Sequence, residues 1–224
     1  MMSLIQHHFI TDRRLPDFSG AAFSYWVGGN GLFAAARRPH LEAVVPITLF
    51  SQPVRGLLPV TPYLAFTPQL PQSLLSEMYQ QALEAQDNQG RLLEILFHIT
   101  WDDAAETWRL IIPRQQQTPT QCTPLDSSTD NVIAEIHSHG STGAFFSDQD
   151  NQDEFGFNLY GVLGRICERQ PEFILRVCVY RHCWHVPAKT VFEDIPSWVT
   201  DISLQTEPVF YFNGDFATGE SPCN

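Results

Sequence analysis

Positive charge is scarce in this 224-residue chain. Lysine and arginine total 13 against 25 aspartates and glutamates, for a formal net charge of -12. That balance argues against a nucleic-acid groove or an anionic membrane surface as the partner. It suits a partner that brings a basic face. Long apolar runs are also missing, and none approaches the roughly 20 residues that cross a bilayer. The opening MMSLIQHHFITDRR has neither an extended apolar core nor a small-residue cleavage site, so no signal peptide is expected. Cysteine is sparse and unpatterned: Cys122, Cys167, Cys178, Cys183 and Cys223 are odd in number and contain no CxxC. They read as reduced thiols of a cytoplasmic protein, not as a disulfide framework. What the chain does have is apolar residues, 43% of the total. That is ample for a sizeable core and allows one domain with elaborations or two small ones.

Residues 1–65 hold short apolar runs (21–27, 31–36 and 41–50) separated by Gly, Pro and Arg, which predicts a small β-rich region. His7-His8 is a terminal pair of the kind usually left solvated. Arg37, Arg38 and His40 form a basic cluster in a loop, with no function assigned to it. Pro53, Pro59 and Pro62 mark a boundary, followed by a main domain at 66–195 and a tail at 196–224. Leu70, Leu74, Leu75, Met78, Ala82 and Leu83 recur at helical spacing, so a helix is expected over 71–85 with Pro71 in its first turn. LLEILFHITW, residues 92–101, reads as an almost continuous apolar strand carrying Glu94 and His98. A carboxylate buried without a partner costs several kcal/mol, so Glu94 needs a partner or a purpose unless it lies at the strand's exposed start.

Residues 108–112 make a further strand. The stretch 113–130, polar with three prolines, reads as a long surface loop, either a docking loop or a plain connector. Strands follow at 159–166, 173–179 and 183–186. His182-x-x-His185 is rejected as a metal pair, because that spacing on a strand points to opposite faces. In the tail, Trp198 and Phe210-Tyr211-Phe212 are expected to pack back on the domain.

The chemistry gathers in EIHSHGSTGAFFSDQD, residues 135–150. Residues 132–136 form a strand that ends in His137-Ser138-His139. Period-two alternation puts both histidines on one side, with Cβ atoms roughly 6–7 Å apart. Two imidazoles starting there can converge on one zinc at about 2.0–2.1 Å. Ser147 opens a short helix, and Asp150 in its first turn offers an oxygen ligand. Two His, one Asp and an open position make a catalytic arrangement, because a structural site would be closed. The plainer reading is that Ser147-x-x-Asp150 is a capping box that needs no metal. In the catalytic reading Glu94 is the general base and Ser147 donates to the oxyanion. Glu135, two residues before His137 on the same face, is the rival base or a support for the ligands.

H-x-H, seven residues, then S-x-x-D resembles the signature of the JAMM (JAB/MPN) zinc metalloproteases. The wider run from EIHSH through AFFSDQDNQDE to LYGVLGRI resembles bacterial JAB-domain proteins, among them the protein A group of the PRTRC system. Many members carry Pro after the second His, where this chain has Gly140. The resemblance implies an αβα, deaminase-like fold with one Zn2+ per chain, and a catalytic Glu from an early strand, the place Glu94 holds by order. It also implies isopeptide hydrolysis after the C-terminal tail of a ubiquitin-like protein. Non-catalytic scaffold subunits exist in the family, and small amides or sulfur-carrier conjugates are a third substrate possibility. From the order of elements alone the fold is α/β (α+β), a mixed sheet flanked by helices.

Overall fold

Small residues on adjacent strands let the first sixty residues bury both faces of one sheet. The computed structural model describes residues 4–18, 20–125 and 131–204. β1 (Ile5–Phe9) runs parallel to β2 (Phe23–Gly28). β3 (Gly31–Arg38), β4 (Leu41–Leu49) and β5 (Tyr63–Phe66) follow as antiparallel neighbours. Trp26, Phe33, Ala35 and Val44 on one face pack with Ile10 and Val60 from the flanking segments. Ala34, Ala36, Ala43 and Val45 on the other join the main core of the molecule.

That core is shared with a second sheet. The chain continues through α1 (Gln72–Glu84), β6 (Leu96–Asp102), β7 (Thr107–Ile111), β8 (Gln115–Thr118), β9 (Gln121–Pro124), β10 (Val132–Ser138), α2 (Asp148–Asp153), β11 (Phe157–Gly164), β12 (Glu172–Val179), β13 (His182–His185) and β14 (Thr200–Asp201). The sheet order is β13-β12-β11-β10-β6-β7, with β14 beside β12. The molecule is therefore built of mixed β-sheets with few helices. Pro71 sits at the N-cap of α1, which buries Leu75, Met78, Tyr79 and Ala82, a helical stripe, in the same core. Among the described residues no helix is long and apolar enough to cross a membrane.

β10 and β11 are parallel. A parallel pair cannot be joined by a hairpin and needs a crossover. Residues 139–156 make that crossover and carry α2. Register divides the faces: Ala134 and Ile136 lie with Leu159, Leu175, Val177 and Phe97 in the core. Glu135 and His137 therefore point the other way, under the crossover.

Four expectations need correction. The strand expected over 92–101 begins only at Leu96, because the preceding backbone is bonded elsewhere. Leu93 N–H donates to Ala85 O, Glu94 N–H to Thr118 O, and Ile95 exchanges bonds with Ser138. The loop expected over 113–130 contains the β8–β9 hairpin, which lacks an apolar alternation because glutamine side chains tie it down. Gln115 bonds both backbone groups of Leu96, and Gln117 donates to Glu94 O.

Arg37, Arg38 and His40 are not an idle loop cluster: they flank the β3–β4 turn. Arg38 donates to Val132 O, Phe157 O and Asn158 Oδ1, Arg37 pairs with Glu42 at 3.1 Å, and the His40 ring lies 4.5 Å from that of Trp101. Finally, Cys178 and Cys183, read as reduced thiols, are joined by a disulfide. The β12–β13 register sets them directly opposite, with Cα atoms 4.0 Å apart. Of the tail, Trp198 packs edge-on against Tyr79. Phe210, Tyr211, Phe212 and Cys223 lie outside the described residues.

Candidate metal centre

β10 delivers His137 within the strand and His139 just past its end. His139 is fixed by its own backbone: its N–H donates to Leu163 O at 2.8 Å, and its carbonyl accepts from Thr142 N–H and Thr142 Oγ1. Gly140 follows with φ +54, a left-handed conformation closed to proline, whose ring holds φ near −65°. Gly164 allows the crossover to lie flat on β11, since a Cβ there would stand 2.1 Å from Ala144 N.

The two Nε2 atoms of His137 and His139 are 3.0 Å apart, and Asp150 Oδ1 is 3.5 Å from His137 Nε2. All three donor atoms lie within 4.8 Å of one another. Tetrahedral ligands on zinc at about 2.0–2.1 Å stand roughly 3.3–3.4 Å from each other, so the observed spacings fit such an ion. Burial lowers the pKa of both histidines, opposed by the Asp150 charge. Their neutral form, the one that ligates metal, is thereby favoured.

Asp150 is held by its other oxygen. Ser147 N–H donates to Asp150 Oδ2 at 2.6 Å, while Asp150 N–H donates to Ser147 Oγ at 3.2 Å, a complete capping box. The plainer reading of S-x-x-D is therefore physically present, and it leaves Oδ1 facing His137. Ser147 Oγ spends an acceptor site in the cap and keeps its own O–H to donate.

Glu94 is buried on the lead-in to β6, pinned between the β8–β9 hairpin and the end of β10. Burial, and then the negative charge of Asp150, raise its pKa to about 8. Glu135 lies on the His137 face of β10 and contacts His98, Oε2 to Nε2 at 3.8 Å. Burial raises the pKa of the acid and lowers that of the imidazole, so the neutral forms of both are favoured.

Several neighbours were not singled out from sequence. Cys122 on β9 feels both Glu94 and Asp150, and mainly through burial its pKa is pushed up to about 12. The half-exposed ring of Phe145 meets His139 edge-on at 4.6 Å. Glu154, at the end of α2, has its pKa raised to about 8 by burial although Arg176 pairs with it. Arg176 offered the one legible signal, a lone guanidinium inside the apolar run FILRVCVY. His182 and His185 part to opposite faces, as their spacing on a strand leads one to expect: His182 bonds Tyr25, whereas His185 stacks on Phe146.

Residues 71–185 match the protein family described as prokaryotic homologs of the JAB domain. The match runs from the N-cap of α1 to the last residue of β13 and spans Glu94, His137, His139, Ser147 and Asp150. No curated protein matches the chain.

Proposed function

The chain belongs to the prokaryotic JAB-domain homologs, and on that premise we propose that it is a zinc-dependent metallopeptidase. Its reaction in this reading is hydrolysis of a peptide or isopeptide bond that follows the C-terminal tail of a ubiquitin-like protein. The observation that carries the reading is the convergence of His137 Nε2, His139 Nε2 and Asp150 Oδ1 beside a buried glutamate. We also read the layers as the αβα, deaminase-like arrangement, with α1 on the core face of the sheet and α2 on the other. In the same reading the chain is placed near the PRTRC protein A group, which the run from EIHSH through AFFSDQDNQDE to LYGVLGRI resembles.

In this reading His137, His139 and Asp150 hold the ion. Zinc, when bound, lowers the pKa of a water toward neutrality and polarises a carbonyl oxygen. Glu94 takes the proton of the attacking water and returns it to the departing amine nitrogen. Ser147 Oγ–H donates to the oxygen on which charge develops, while its lone pair stays in the cap. Glu135 is kept in this reading as a support for the metal site and not as the base, since its carboxylate is turned to His98.

The family also includes catalytically inactive members, so cleavage is the test. Zinc-loaded protein is incubated with an isopeptide-linked ubiquitin-like conjugate, a linear fusion and a small C-terminal amide, and the products are weighed by mass spectrometry. The expected result is a free C-terminal carboxylate and a free amine. Glu94→Gln should keep stoichiometric zinc and be inactive, whereas Glu135→Gln should chiefly weaken metal binding. A zinc-loaded protein that cleaves none of the three substrates contradicts the reading and favours a scaffold subunit. Near-normal turnover in Glu94→Gln, with Glu135→Gln dead and zinc-loaded, exchanges the two roles.

A further inference from the structure

α2 has no apolar residue of its own, and the apolar anchor before it is Phe146, packed on Ala144, Val162 and Ile174. Its six residues, DQDNQD, include none that is buried, and helices below about 12–15 residues are marginal on their own in water. Yet this helix must deliver Asp150 to within a fraction of an ångström if the centre is to close on an ion. What fastens it is a guanidinium from β12. Arg176 is fully buried and stands in a polar row across the sheet, His98–Glu135–Tyr160–Arg176–His185, set by strand register on the face that carries His137. Its Nε donates to Glu154 Oε2 at 2.7 Å and its Nη1 to Asn151 Oδ1 at 2.8 Å. Its Cζ lies 3.6 Å from the centroid of the Phe146 ring. These three anchors bracket the cap and the ligand: Phe146 precedes Ser147, while Asn151 and Glu154 follow Asp150.

We propose that Arg176 is a positioning residue of the metal centre. It stands in for the missing apolar face of α2 and so sets where Asp150 Oδ1 lies relative to His137 and His139. The inference rests on the metal-centre reading given above. A planar fork with several donors can fix two acceptors and stack on a ring at once, which the single ammonium of lysine cannot do. An ion pair this deeply buried adds little net stability over apolar residues of similar volume. Its orienting effect on α2 explains the arrangement better than a gain in stability does.

Removing the arginine alone would strand Glu154 as an unpaired buried carboxylate. The test therefore uses the double variant Arg176→Met with Glu154→Gln, which discharges the pair together, and Arg176→Lys, which keeps a cation beside Glu154. Zinc titration of each is expected to give an affinity about 10–100-fold below wild type, the usual cost of losing a group that orients a ligand. In the metal-free proteins the amides of residues 148–154 should exchange faster, while those of β10, β11 and β12 keep their protection. A merely structural role would lower the melting temperature and leave zinc affinity and local exchange alone. Wild-type affinity with unchanged exchange in the variants overturns the inference. Should the double variant not fold, Arg176→Lys decides it by the same two readouts. A wild-type protein that takes up no zinc overturns the metal centre and this inference with it, whereas a zinc-binding wild type matched by its variants overturns this inference alone.

Discussion

Glu94 is the residue on which the proposed chemistry turns, and its carboxyl is held in a state unlike that of a free glutamate. Burial and the Asp150 charge raise its pKa from the ordinary 4.5 to about 8. The folded, metal-free protein therefore favours the protonated acid. A group whose pKa is raised on folding adds stability below its unfolded value, and loses that contribution as pH rises through its folded value. Metal-free wild type should thus lose stability between about pH 4.5 and 8 through this group, whereas Glu94→Gln, which cannot ionise, should not. Thermal unfolding of the two proteins checks this. The variant's melting temperature should gain on the wild type's from about pH 5 to pH 8 and level off above that. A difference that stays flat over that range would mean that Glu94 is solvated and is not the buried acid described here. The carboxylate was legible in the sequence because Leu92, Leu93, Ile95, Leu96 and Phe97 surround it. Its place outside the strand was not, because the bonds that displace it come from Thr118, Gln117 and Ser138, all distant in sequence.

Among the elements, α2 does two things with one motif. Its capping box satisfies the helix N-terminus, and Asp150 keeps its second oxygen 3.5 Å from His137 Nε2, while the proposed chemistry gives the Ser147 hydroxyl to the oxyanion. Ser147→Ala separates these roles. As an oxyanion donor, Ser147 should cost on the order of 10²–10³ in turnover when removed, with zinc retained. As a cap alone, it should cost about 1 kcal/mol of stability. Turnover and melting temperature measured on the same preparation decide the matter, and normal turnover beside a small fall in melting temperature would leave Ser147 a cap only. The helix start could be read from S-x-x-D. What holds α2 to the sheet could not, because the anchor comes from β12 and the helix has no apolar stripe to betray its docking face. The β8–β9 hairpin was hidden for a related reason: glutamine amides fix it in place of a periodic apolar pattern.

At the scale of the whole molecule, two sheets and α1 share one core, and the parallel pair β10–β11 forces a crossover above the far face of the second sheet. The HxH strand, the helix at 71–85 and the later strands were readable because each rests on local periodicity. The disulfide and the work of Arg38 were not, since a one-dimensional pattern does not report which strands lie opposite each other. All of this geometry serves one claim, that His137, His139 and Asp150 hold a zinc ion, and metal content measures that claim most directly. Protein reconstituted with zinc and freed of excess should carry about one ion per chain at neutral pH, and should lose it when either His137 or His139 is replaced by Ala. A wild-type protein that stays metal-free and equally stable after that treatment, or histidine variants that keep the ion, would contradict it.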